Sequence, residues 1–305
     1  MKRFLLRRLS QSALTLFLLS LAVFGLARMT GDPLTLVLPL GATDEDFKNA
    51  RHYLGLDQPL YVQYARFIGQ AAMGDFGVSI RARRPVNELL ADRFPNSLKL
   101  AVFSLGLAML FAFPLGVLAA VWRDTALDRG ARIVSTLGQA LPTFWVGIVL
   151  IEVLSGRLQW FPAGGTGGFT HYLLPGFTLG WFVMAGMQRL VRSSLLEVLD
   201  SDFVRTARAK GAAERAVIWR HALRNALIPV VTFIGVYFSI LVTTAIVVET
   251  VFAWPGMGRL AYDAITSRDF PVIQAVVMVT GAIVVAVNLV VDALYALIDP
   301  RIRHG

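Results

Sequence analysis

The residue types that usually do chemistry are sparse in this chain and wrongly spaced for it. There is no cysteine, which removes disulfides and thiolate ligands, and the four histidines (His52, His171, His221, His304) stand too far apart to form a metal motif. No Gly-x-x-x-x-Gly-Lys-Ser/Thr loop is present to cradle nucleotide phosphates. No clustered His, Asp, Ser or Glu constellation points to acid-base or nucleophilic catalysis. What the sequence does concentrate is charge around one glycine, in "DFVRTARAKGAAERAVIWRHALRNALIPV" from Asp202 to Val230. The work such a stretch suits is mechanical.

Ser201 is placed to cap a helix; Asp200 and Asp202 would sit at its positive end, and Arg208 and Lys210 at its negative end. This predicts a short helix over 202–210. Gly211 then supplies the turn, where positive φ suits a residue without Cβ. Beyond it, Ala212, Ala216, Trp219 and Leu223 recur at helical spacing as an apolar stripe of a second helix that runs on to Pro229. Thr206, Ala207 and Ala209 are small enough for close approach to a groove on another protein. The bland alternative is a solvated basic loop that only obeys a topology rule.

The elements that carry this loop are apolar. Of 305 residues, 56% are hydrophobic and 16% charged, against about 25% charged in soluble domains. Six stretches approach or exceed the length that spans a bilayer, near 9–27, 100–122, 133–155, 173–191, 227–248 and 272–297. The first follows Lys2, Arg3, Arg7 and Arg8 and reads as an uncleaved anchor. The net charge of +9 is dispersed between spans, which argues for membrane topology over nucleic acid. Basic residues gather at the N-terminus, at Arg123, Arg129 and Arg132, in the Asp202–Val230 loop, and at Arg301 and Arg303. The expected fold is therefore an all-α polytopic membrane protein with six transmembrane helices, N-in and C-in. Residues 28–99 fall outside the cytoplasm, with "LGLDQPLYVQYARFIGQAAMGDFG" as an amphipathic helix and a Gly turn. The expected division is 1–94, an N-terminal span with its extracytoplasmic segment, and 95–305, with the loop at about 200–228 inside the second part.

Candidate positions within the spans are of three kinds. Pro114, Pro142, Pro175 and Pro229 permit bends that line a pathway or merely shape packing. Gly180, Ala185 and Gly186 allow close helix approach. Glu152, Glu249 and Asp292 are ionisable; the first two fall near outer span ends, where snorkelling to water is expected, and Asp292 near Arg301 and Arg303, with which it is expected to pair. The turn-rich segment from Glu249 to Pro271, through Trp254, Pro255 and Gly256, reads either as an outer gate that receives a partner or as an aromatic interfacial anchor.

"TARAKG" through "HALRNALIPV" resembles the cytoplasmic EAA loop of bacterial ABC importer permeases, with Gly211 and Pro229 in place of that loop's glycine and closing proline. Arg205, Thr206 and Ala207 stand where the Glu-Ala-Ala triplet is usual, as in the dipeptide, oligopeptide and nickel branch. "GDP" (Gly31–Pro33), "GDFGVS" (Gly74–Ser79), "ALPTFWVG" (Ala140–Gly147), "WFPAGG" (Trp160–Gly165), "ETVFAWPGMGRLAYDAITSRDFP" (Glu249–Pro271) and "NLVVDALYALIDPRIR" (Asn288–Arg303) resemble the same branch in order along the whole chain. The resemblance implies a type I importer permease in the bacterial cytoplasmic (inner) membrane. Its implied partners are a homologous second permease as heterodimer, two ABC ATPase subunits that bind ATP and Mg, and an extracytoplasmic solute-binding protein. It implies no catalysis and no cofactor on this chain. Coupling to the ATPases would fall to Asp202, Phe203, Arg205, Thr206, Ala207, Ala209, Lys210 and Gly211. The translocation path or outer gate would fall to Pro142, Gly180, Glu249, Trp254, Pro255 and Gly256. Peptides are the expected cargo, with nickel chelates or glycosides as alternatives. A different class, an ion-coupled secondary transporter, would need midplane acids or an internal repeat, and neither stands out.

Overall fold

In lipid every backbone N–H and C=O must be satisfied within the chain, and a sequence this apolar without barrel alternation meets that demand with helices. The computed structural model describes residues 2–29, 43–53 and 55–298, and among these the chain is helical apart from turns, loops and one isolated bridge between Val78 and Pro85. In order come α1 (Lys2–Met29), α2 (Asp44–Tyr53), α3 (Leu60–Ala72), α4 (Val86–Val121), α5 (Ala126–Ala140) and α6 (Thr143–Leu150), which continues as π-helix over Ile151–Arg157. Then follow α7 (Thr170–Leu199), α8 (Asp202–Ala209), α9 (Glu214–Ala216), a π-helical stretch Val217–Ala222, α10 (Leu223–Val251), α11 (Met257–Thr266) and α12 (Phe270–Ile298). "GDP" at 31–33 and the Asp299–Arg303 end of the last motif lie outside the described residues, as do Arg301 and Arg303.

Four of these helices are long and apolar enough to cross a membrane: Leu6–Met29, Val86–Val121, Pro229–Val251 and Phe270–Asp292. The stretch expected as a third continuous span, 133–155, is not one rod. α5 and α6 meet at a bend of 106°. Leu141 is extended (φ −80°, ψ 130°) and Pro142 caps α6 with ψ 132°, because proline restricts the residue before it and has no N–H to continue the ladder. Pro114, Pro175 and Pro229, by contrast, lie inside unbroken helices. α7, at 30 residues, is about 45 Å long and could also span, but it carries Thr, His, Gly and Pro in place of aliphatics.

The chain packs as two compact units. One comprises the described residues up to Ser97 with Pro255–Leu289. Its core is Val86, Leu89 and Leu90 of α4 against Met257, Ala261 and Ala264 of α11 and Val272, Ala275 and Val276 of α12. The other comprises Leu98–Trp254 with Val290–Ile298. Here α7 is the central helix, with 15 buried residues, and α5, α6 and α10 lie against it. Gly180 lets α4 approach: a Cβ there would stand 2.8 Å from the Ser104 carbonyl oxygen.

Candidate functional site

The loop singled out in the sequence folds nearly as expected. Ser201 takes the extended N-cap conformation, and α8 runs Asp202–Ala209. The Ser201 hydroxyl does not cap the helix; it donates instead to the Val198 carbonyl at the end of α7. Gly211 has φ +79°. Its N–H donates to Arg208 O (2.9 Å) and the Ala212 N–H to Ala207 O (3.2 Å), the bond pair of a Schellman ending. Arg208 then reaches across the glycine to Glu214, Nε to Oε2 at 3.1 Å and Nη2 to Oε1 at 2.6 Å. These bonds hold the Glu214 carboxyl below its usual range. The break between α8 and α9 is thus bridged by a bidentate ion pair.

One face of α8 belongs to its own chain. Val204 is fully buried, and Ala207 is half-buried and packs on the same core. Asp202, Phe203, Arg205, Thr206, Ala209 and Lys210 are exposed. The expected stripe on the second helix holds at Ala212, which packs on the core, and at Leu223, and is corrected at its two middle positions. Ala216 and Trp219 are exposed, and the buried positions are Val217, Ala222, Leu223, Ala226 and Val230. The cause is the π-helical stretch: with an i to i+5 repeat, Val217 and Ala222 share a face that a 3.6-residue period would separate.

A second feature was not legible as a site. Asp128 on α5 is fully buried and is gripped by Arg192 of α7, Nε to Oδ1 at 2.6 Å and Nη2 to Oδ2 at 2.8 Å. The Asp124 N–H adds a bond to Oδ2 at 3.0 Å, and Arg132 approaches to 3.7 Å. The sequence signal was one acid among the arginines of that connection.

The proposed path and gate residues are placed as follows. Pro142 is exposed at the α5–α6 bend, and Gly180 is buried in the α4–α7 contact. Glu249 does not snorkel: it is 0% exposed. The chain turns at Ala253 (φ 50°) and returns the Trp254 N–H to the Glu249 carbonyl at 2.8 Å, so the last turn of α10, which carries the acid, is closed by a reversal of the chain. Glu152 is exposed and pairs with Arg157 at 3.1 Å. Trp254 is not an interfacial anchor. It is fully buried, edge-on to Tyr172 with ring centroids 4.7 Å apart. Pro255 and Gly256 belong to the other unit, where the Asn96 amide donates to the Pro255 carbonyl at 3.0 Å and Gly256 precedes α11.

The "WFPAGG" loop docks on the same reversal: the Gly165 N–H donates to Phe252 O at 2.8 Å, and a Cβ on Gly164 would collide with that carbonyl. Gly164→Ala is therefore expected to lower stability by about 1–3 kcal/mol, read as earlier thermal loss of the monodisperse detergent-solubilised protein. Along α7, Thr178 Oγ1, Trp181 Nε1 and Gln188 Nε2 are buried without a hydrogen-bond partner among the described residues. Their spacing, three and seven residues, puts them on one stripe of the helix. In the sequence this stripe shows only as polar residues spaced three and seven apart within an apolar helix.

Comparison with known proteins gives consistent results. Residues 112–304 match the family described as binding-protein-dependent transport system inner membrane component, and residues 1–101 match the N-terminal region of such membrane components. The glutathione transport system permease protein GsiC of Escherichia coli (strain K12) is 44% identical over 305 residues, covering 100% of both chains. The GsiC protein of Shigella dysenteriae serotype 1 is similar to the same extent, 44% over 305 residues. Among solved structures, a chain of the inward-facing MetNI methionine ABC transporter superposes with a TM-score of 0.60 at 18% identity, covering 69% of this chain and 96% of that one. A chain of an amino acid ABC transporter with histidines superposes at 0.54 with 15% identity, covering 70% and 94%. At such identities the structural likeness speaks to fold alone.

Proposed function

This chain belongs to the inner membrane components of binding-protein-dependent transport systems, as a permease subunit of the ABC importer class and not an enzyme, and from that premise we propose that its cargo is a di- or oligopeptide. The observation that carries the cargo is full-length identity of 44% to a permease named for glutathione, itself a peptide. Family membership displaces the ion-coupled secondary transporter.

In the proposed assembly the chain crosses the bacterial inner membrane six times with both ends inside and pairs with a homologous second permease. Two ATPase subunits bind ATP and Mg, and a solute-binding protein delivers the peptide. The exposed face of α8, Asp202, Phe203, Arg205, Thr206, Ala209 and Lys210, docks in a groove of one ATPase. Gly211 sets the angle at which that docked helix meets α9 and α10. When the ATPases close on nucleotide, α8 moves with them, and the ion pair across Gly211 passes the displacement to α10 as a rigid-body shift.

The test is ATP-dependent accumulation in proteoliposomes of the complete importer with its binding protein. Labelled dipeptide, tripeptide and glutathione compete against a nickel chelate and a glycoside. Saturable peptide uptake that neither competitor blocks is expected. Uptake of the chelate or the glycoside without any peptide uptake would discard the peptide reading and keep the permease.

A further inference from the structure

The turn that leads into α4 is held by a buried acid far along the chain. Asp269, 2% exposed, precedes α12 and accepts from the Ser79 hydroxyl, from the Ile80 N–H at 3.2 Å and from the Arg81 N–H at 3.1 Å. The turn closes on itself as well: Ala82 N–H donates to Ser79 Oγ (2.8 Å), Arg83 N–H to Ser79 O (3.0 Å) and Ser79 N–H to Arg84 O (2.9 Å). All of these residues belong to one unit. The result is a rigid knob joining the segment before α4 to the segment before α12.

What the knob displays is positive charge. Arg81, Arg83 and Arg268 are exposed, and among the described residues none of the three side chains has a partner. Arg84 is different; it is satisfied by Glu88 at 3.2 Å and Asp92 at 3.4 Å. Arg83 and Arg268 also hold positive φ, 51° and 54°, where a residue with Cβ is disfavoured and glycine would sit free of strain. The turns themselves account for both backbones: Arg268 follows the end of α11, where its N–H donates to Ile265 O (3.2 Å) and the Asp269 N–H to Ala264 O (2.8 Å), and Arg83 closes on Ser79. What folding does not explain is that each of these positions carries an unpaired, exposed arginine where glycine or asparagine is usual. Nor does topology explain Arg268: in the proposed orientation it lies in a short extracytoplasmic connection, where arginine tends to be avoided, whereas the 28–99 segment that carries Arg81 and Arg83 is long enough that this bias does not act on it.

We propose that this arginine knob is a docking surface for an acidic patch on the extracytoplasmic solute-binding protein. The inference rests on the importer reading, which supplies a soluble partner on that side. Unpaired guanidinium groups on a rigid turn match carboxylates without ordering a loop first, and exposed charges of this kind act chiefly on encounter and on salt dependence.

The experiment uses the complete transporter in phosphatidylcholine nanodiscs and follows ATP hydrolysis against binding-protein concentration, from roughly 50 to 200 mM salt. In the wild type, half-saturation shifts to higher concentration as salt rises. Arg83→Glu combined with Arg268→Glu raises the half-saturating concentration about tenfold, flattens the salt dependence and leaves basal hydrolysis unchanged. Arg83→Gly, which removes the charge while relieving the strained backbone, shifts half-saturation in the same direction and guards against misfolding as the cause. Unchanged half-saturation and salt dependence in these variants would overturn the proposal, as would a shift seen only in nanodiscs containing anionic lipid. A wild-type transporter that no binding-protein concentration stimulates would instead count against the importer reading itself.

Discussion

Arg192→Ala is expected to lower stability by about 3 kcal/mol, the largest effect of any single side-chain truncation proposed for this chain. The reason is asymmetry. Asp128 is fully buried, and its two oxygens take the Arg192 guanidinium at 2.6 and 2.8 Å. Removing the arginine leaves a carboxylate in the packed seam between α5 and α7 with only the Asp124 N–H and a distant Arg132 to offset it. A buried charge that loses its partner costs more than the pair contributed in the first place. Replacing both residues together, as Asp128→Leu with Arg192→Leu, is expected to recover most of the loss, since no charge then remains to be satisfied. The measurement is thermal loss of the monodisperse peak for wild type, each single variant and the double variant. If the double variant is as unstable as Arg192→Ala, the cost lies in packing around these side chains and the electrostatic account fails.

That pair also shows where sequence reading stops. Local rules suffice for α8: acids at its start, bases at its end and a glycine after it reproduce Asp202–Ala209 and a left-handed Gly211. Apolar length suffices for α1, α4, α10 and α12. The partner of Asp128 lies 64 residues away, and a contact at that separation leaves no periodic trace. Snorkelling of Glu249 and interfacial anchoring by Trp254 fail for a related reason. Charge and aromaticity suggest a membrane interface, yet the chain reversal at Ala253 takes both out of solvent. The α5–α6 break was written in Leu141–Pro142, but a count of apolar residues over 133–155 does not register a change of chain direction. A π-helical stretch changes the period itself, so the apolar stripe drawn at 3.6 residues per turn misses at Trp219 within that stretch, although Leu223 beyond it is buried as expected.

The remaining large effect belongs to Gly211. A Cβ there would meet nothing within 4 Å, so any penalty of Gly211→Val comes from the backbone and not from a clash. At φ +79° a non-glycine residue costs about 1–2 kcal/mol, and a β-branched one more. The cheapest escape is to unwind the Schellman ending, giving up the bonds from Gly211 and Ala212 to α8 and swinging Arg208 off Glu214. α8 would still be a helix with the same exposed face, but it would no longer stand at a fixed angle to α10. On the proposed coupling role, peptide uptake per ATP hydrolysed is expected to fall about tenfold, the factor that corresponds to some 1.4 kcal/mol, while the protein still inserts and hydrolysis persists. Gly211→Asn should retain most coupling, because asparagine tolerates the left-handed region. Uptake and hydrolysis both unchanged in Gly211→Val would mean that the angle between α8 and α10 carries no signal, and the loop would then be a solvated connection whose charges only set topology.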